Sequence, residues 1–105
     1  MEKIGKLTDV PPGTMKSFIA GGRSVLIANV GGEFYAAETM CPRQGCYLPN
    51  GTLEKNILTC PVHGAKFDIT TGIAVKNVTA GDKNIAESLI SYRLWVNGED
   101  IFIEI

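Results

Sequence analysis

The chain has 105 residues, enough for one hydrophobic core and too few for two. Its 45% hydrophobic and 20% charged residues are typical of a folded domain and exclude a disordered or low-complexity chain. The net charge is −1, no basic cluster suits nucleic acid, and no apolar stretch approaches the roughly 20 residues of a membrane span. We therefore expect one domain over residues 1–105 that binds neither nucleic acid nor a membrane.

Glycine turns divide the first forty residues into apolar runs of strand length. Gly21-Gly22 and Gly31-Gly32 tolerate the positive φ angles that two-residue hairpins require. The flanking runs predict antiparallel strands over 15–20, 24–30 and 33–38.

Residues 39–72 interrupt this pattern with cysteine, proline, glycine and asparagine. Their apolar runs are brief, as in 56–59. A loop-rich insert on a β scaffold is a common way to build a functional site.

The C-terminal part returns to strands. Asn97-Gly98 predicts a further hairpin, between strands over 92–96 and 101–105, and the alternation in the last run gives it one apolar face. A short helical turn is an open alternative over 82–89. The predicted fold class is all-β, with small antiparallel sheets made of hairpins.

The chain concentrates its metal-binding residue types in two short segments rich in proline and glycine. Cys41 and Cys46 lie in the first segment, and Cys60 and His63 lie in the second. A single cysteine is usually a small buried hydrophobe, and a single histidine is usually a surface or hydrogen-bonded residue. All three cysteines and the only histidine fall in these two loops, which indicates a metal or cluster site.

The spacing of these residues resembles that of the Rieske-type ferredoxins, whose two cluster motifs are C-x-H and C-x-x-H. Here Cys41-x-Arg43 is followed, after sixteen residues, by Cys60-x-x-His63. The resemblance extends to other positions along the chain: Gly45, Leu48, Gly51, Phe67-Asp68, Thr71-Gly72 and a third loop near Gly81-Asp82-Lys83. It implies the Rieske fold, in which small antiparallel β-sheets carry an inserted cluster-binding subdomain, here over about 39–72.

Arg43 departs from the family pattern, because it occupies the position of the first histidine ligand. A guanidinium is positively charged and offers only hydrogen-bond donors, so it cannot bind iron as imidazole does. Three outcomes stay open. Cys46 supplies a fourth ligand to a [2Fe-2S] cluster with Cys41, Cys60 and His63; the same four residues bind zinc; or the fold persists without metal.

The resemblance implies an electron-transfer protein and not an enzyme. Cys41 and Cys60 would bind one iron, His63 would help to bind the other, and Arg43 would lie beside the cluster. Family proteins of high potential have hydroxyl side chains at Ala65 and Phe67, so a low potential is expected here.

The expected protein is a soluble monomer that passes electrons from a reductase to a terminal oxygenase or a similar acceptor. An N-terminus without an apolar signal core, together with an odd number of cysteines, predicts a cytoplasmic location. The alternatives are a cluster-free interaction subunit and a structural zinc module.

Overall fold

The computed structural model describes residues 2–40, 47–61, 66–71, 74–76 and 89–104. Eleven strands lie within those ranges: β1 (Glu2–Lys6), β2 (Met15–Ala20), β3 (Arg23–Val30), β4 (Glu33–Glu38), β5 (Thr52–Glu54), β6 (Ile57–Thr59), β7 (Lys66–Asp68), β8 (Ala74–Lys76), β9 (Ser91–Tyr92), β10 (Leu94–Asn97) and β11 (Asp100–Ile103). The described helical structure consists of two 3-10 turns, Leu7–Asp9 and Leu48–Asn50. The all-β prediction is confirmed. None of the described helices has the length and apolarity that a membrane crossing requires.

The strands form three small antiparallel sheets. The central sheet has the order β2-β3-β4-β9, a second has the order β1-β11-β10, and a third has the order β5-β6-β7-β8. Three strands of the third sheet, β5, β6 and β7, lie within the predicted insert over 39–72, whereas β8 lies just beyond it.

The predicted hairpins of the central sheet are confirmed. Gly21 and Gly22 have φ angles of 56° and 77°, and Gly31 and Gly32 have φ angles of 61° and 100°. This left-handed region is most favourable for glycine, which explains the glycine pairs at both turns. The strands around them match the predicted ranges, except that β3 begins one residue early, at Arg23.

The predicted strand over 92–96 is divided between two sheets. Tyr92 pairs with Ala36 in the central sheet, whereas Leu94 pairs with Ile103 in the second sheet. The chain changes sheets at Arg93, and the strand-length run over 92–96 carries no signal of that change.

Five strands are absent from the predicted set. β1 is mostly polar and pairs with β11 at the edge of its sheet. β5, β6, β7 and β8 have three residues each, which is too short to show an alternating pattern. The alternative of a helical turn falls mainly on 82–88, outside the described residues.

β3 is the centre of the molecule, because both of its faces are buried. Leu26 and Ala28 face one core, and Val25 and Ile27 face the other. The first core joins the central sheet to the third sheet through Leu48, Leu58, Cys60, Phe67 and Ile69. The second core joins it to the second sheet through Ile101 and Ile103. Each fully buried aliphatic side chain contributes about 1.5–3 kcal/mol by leaving water.

Candidate cluster-binding site

Cys60 is the predicted ligand whose surroundings the structure describes. It directly follows β6 and is only 2% exposed. It belongs to the core that contains Leu48, Leu58 and Phe67, all of them almost fully buried. Close packing on this side fixes the backbone that presents the sulfur and limits the access of water.

Cys60 is disulfide-bonded in this structure, and its partner lies outside the described residues. Iron and zinc bind cysteine as the thiolate, so a disulfide sulfur cannot serve as a ligand. Metal binding at Cys60 therefore requires the reduced form of the protein.

The two ends of the first loop are held together by the backbone. Met40 and Tyr47 form an isolated antiparallel bridge, and the Leu48 amide donates to the Thr39 carbonyl over 2.7 Å. Cys41, Arg43 and Cys46 belong to residues 41–46, which lie outside the described part of the chain.

Gly51 brings the end of the first loop against the beginning of the second. Its amide donates to the Leu48 carbonyl over 2.8 Å. A Cβ atom at this position would lie 2.0 Å from the carbonyl oxygen of Thr59 and 3.1 Å from Cδ of Pro61. These two residues flank Cys60, so only glycine allows this approach of the two segments.

The second loop is also closed at its base. Thr59 pairs with Lys66 across β6 and β7, and the Lys66 ammonium donates to the Thr59 hydroxyl over 3.1 Å. His63 lies between them in sequence, within 62–65, outside the described residues. Phe67 has no side-chain hydroxyl, and its ring is buried in the core.

Asp68 stabilises the turn that leaves β7. Its Oδ1 accepts hydrogen bonds from the Thr70 hydroxyl at 2.5 Å and from the Thr70 amide at 3.0 Å. The Thr70 hydroxyl is the main cause of the lowered pKa of this carboxyl, and Asn56 and the Thr70 amide act in the same direction, while burial opposes them. The turn positions Ile69, which is buried in the same core as Cys60.

We expect Asp68→Asn to make the stability of the metal-free protein less dependent on acid pH. The folded pKa lies below the ordinary value of 3.8. The carboxylate therefore adds stability above that value, and the contribution is lost as pH falls through the folded pKa. Urea unfolding at several pH values below about 5 should show a smaller decline for the variant than for the unmodified protein. Thr70→Val should reproduce part of this change, and equal slopes in all three proteins would contradict the assignment.

Of the predicted site residues, the structure thus describes Cys60 and the segments that flank the others. The third loop, near Gly81-Asp82-Lys83, is outside the described residues. Among the described residues, no group of three or more histidine, cysteine or acidic side chains is arranged to bind a metal. Tyr47 and Thr59, which close the two loops, carried no signal in the sequence, because their role depends on pairing with distant residues.

Comparison with known proteins identifies the family of this chain. Residues 1–92 match the family model of the Rieske [2Fe-2S] domain. The chain is 39% identical over 74 residues to the ferredoxin component of biphenyl 2,3-dioxygenase from Rhodococcus jostii (strain RHA1), covering 70% of this chain and 69% of the relative. It is 35% identical over 72 residues to ferredoxin CarAc of Metapseudomonas resinovorans, covering 68% and 67% of the two chains.

Solved structures share the same fold. The ferredoxin of carbazole 1,9a-dioxygenase from Nocardioides aromaticivorans IC177 superposes with a TM-score of 0.84 at 23% identity, over 96% of this chain and 93% of that one. A chain in the complex of reduced oxygenase and oxidized ferredoxin of carbazole 1,9a-dioxygenase gives a TM-score of 0.81 at 25% identity, over 96% and 89%. With the family model matching 92 of its 105 residues, this chain belongs to the Rieske [2Fe-2S] domain family.

Proposed function

We propose that the chain is a Rieske-type ferredoxin that carries one electron at a time from a reductase to a terminal oxygenase or a similar acceptor. The family match over residues 1–92 is the observation that carries this proposal. A relative named as the ferredoxin component of a dioxygenase and another named as a ferredoxin support it, as does the likeness to one chain of a ferredoxin–oxygenase complex. In this role residues 1–105 act as one domain, a monomer in the cytoplasm.

The donor set supports a [2Fe-2S] cluster with altered ligands. Cys41 and Cys60 would hold one iron, and His63 and Cys46 would hold the other. Arg43 has no lone pair to donate, so the usual pair of histidines is incomplete. Thiolates are good iron ligands, which makes Cys46 the best substitute in the chain. When bound, the cluster takes up and releases a single electron.

The described residues around Cys60 would influence the solvent access and the reduction potential of that cluster. Cys60 belongs to the same buried core as Leu48, Leu58 and Phe67, and these apolar side chains would exclude water from one side of the cluster. Phe67 provides no hydroxyl to a cluster sulfide, and a third thiolate adds negative charge where imidazole is neutral. Both effects favour a low reduction potential.

Arg43 also favours a second candidate function. Loss of one ligand could leave a cluster-free domain that binds a partner protein, and the same four donors, Cys41, Cys46, Cys60 and His63, could hold zinc instead. Either form would retain the fold without electron transfer.

Stoichiometric electron transfer tests the proposal. Protein whose disulfide has been reduced is supplied anaerobically with iron and sulfide. It is then titrated with dithionite, and we expect uptake of one electron per chain. On mixing with oxidised cytochrome c, the reduced protein should pass that electron to the cytochrome, and the change in cytochrome absorbance measures the transfer. Zinc-loaded protein is the matched control and should transfer none. Failure of the iron-supplied protein to take up an electron would overturn the proposal.

A further inference from the structure

Tyr47 is held by its side chain as well as by its backbone. Its hydroxyl lies 2.5 Å from the hydroxyl of Ser17 on β2, thirty residues away in the sequence. Its backbone forms the bridge with Met40 that closes the first loop. Two distant segments of the chain therefore meet at the residue that follows Cys46.

Burial alone does not fix Tyr47. The side chain is 37% exposed, and Tyr47 is a member of neither core cluster among the described residues, whereas the next residue, Leu48, is fully buried. Ser17 pairs with Leu26 of β3 and shares its face of the central sheet. The hydroxyl pair thus attaches a partly exposed aromatic ring to the β2–β3 strand pair of the central sheet.

We infer that Ser17 and Tyr47 are positioning residues for the first cluster loop. This inference rests on the proposed function, because Tyr47 adjoins the candidate ligand Cys46. Restraint at the tyrosine side chain limits rotation of the backbone at residue 47. It thereby holds the base of the first loop, where Met40 and Tyr47 pair, against β2.

The first test uses reduced, metal-free protein. Tyr47→Phe and Ser17→Ala each remove one hydroxyl and keep the rest of the packing. We expect the amide of Leu48, which donates to Thr39, to exchange with solvent about threefold faster in each variant. That factor corresponds to a hydrogen bond whose net contribution to stability lies near the lower end of the usual range, as expected for a partly exposed one. The double variant should exchange no faster than either single one, since both remove the same bond.

Two controls separate positioning from general stability. Ser17→Thr keeps a hydroxyl and should restore the slow exchange. Thr14→Val removes a different hydroxyl, one that donates to the Pro11 carbonyl over 2.6 Å at the beginning of β2, and should leave the Leu48 amide unchanged. Unchanged exchange in Tyr47→Phe and Ser17→Ala would overturn the inference.

The second test uses protein supplied with iron and sulfide. Tyr47→Phe and Ser17→Ala should alter the electron paramagnetic resonance g values of the reduced cluster and release iron to a chelator about threefold faster. Ser17→Thr and Thr14→Val should behave like the unmodified protein. Faster amide exchange with an unchanged spectrum would overturn the positioning role. If the unmodified protein binds no iron, the proposed function fails, while the exchange experiment still tests the link between Ser17 and the loop.

Discussion

Gly51→Ala should prevent stable folding of the third sheet and abolish metal binding. The added methyl group would lie 2.0 Å from the Thr59 carbonyl oxygen, and the neighbouring atoms are mainly backbone. A backbone carbonyl cannot rotate away as a side chain can, so the two segments must separate. We expect a loss of about 3 kcal/mol or more in the free energy of unfolding, a large part of the 5–15 kcal/mol of an ordinary domain. Urea unfolding of the metal-free protein measures this loss.

Gly98→Ala is the matched control for that substitution. Gly98 has a φ angle of 66°, but a Cβ atom there would meet nothing within 4 Å. Its cost should be limited to left-handed backbone strain, about 1–2 kcal/mol. The variant should retain full metal binding because it lies in the turn between β10 and β11. Equal losses for Gly51→Ala and Gly98→Ala would show that the close approach at Gly51 does not hold the two loops together.

Arg43→His should convert the cluster to the two-cysteine, two-histidine form. Replacement of a thiolate ligand by neutral imidazole removes negative charge, so the reduction potential should rise by on the order of 100 mV or more. The same substitution should make Cys46 dispensable. Cys46→Ser alone should lose most of the bound iron, whereas Arg43→His combined with Cys46→Ser should retain it. Iron content and a reductive titration of the four proteins measure these effects.

Arg93→His controls for the simple addition of a histidine. Arg93 has an 81% exposed side chain at the change between the second and central sheets, and its replacement should leave the spectrum and potential unchanged. A cluster that persists in Cys46→Ser with Arg43 present would remove Cys46 from the ligand set. Failure of Arg43→His to assemble a cluster would contradict the ferredoxin proposal itself.

The sequence predicted the parts of the fold that local chemistry controls. Gly21-Gly22 and Gly31-Gly32 mark hairpins because their backbone angles are unfavourable for other residues, and the strands between them are long enough to show their pattern. The sequence did not predict the four short strands β5, β6, β7 and β8. Three residues form a strand because of the strands they pair with, and not because of their composition. Tertiary packing likewise determines that the chain changes sheets at Arg93.

The candidate site shows the same division. The concentration of cysteine and histidine in two loops is visible in the sequence alone, and it predicts Cys60 and its neighbours as ligands. The reason for Gly51 became visible only when Thr59 was placed against it. Ser17 and Tyr47 are thirty residues apart in the sequence, so no local pattern predicts their contact. Spacing alone does not determine which side chain would take the place of the histidine that is missing at position 43.

The metal and sulfide content of the protein tests the central claim most directly. Protein purified anaerobically under reducing conditions is analysed for iron, acid-labile sulfide and zinc, together with its visible absorption and the electron paramagnetic resonance of the reduced form. The ferredoxin account predicts two irons and two sulfides per chain, a coloured protein and a resonance from one unpaired electron. A colourless protein without metal, or one zinc without sulfide, would contradict it.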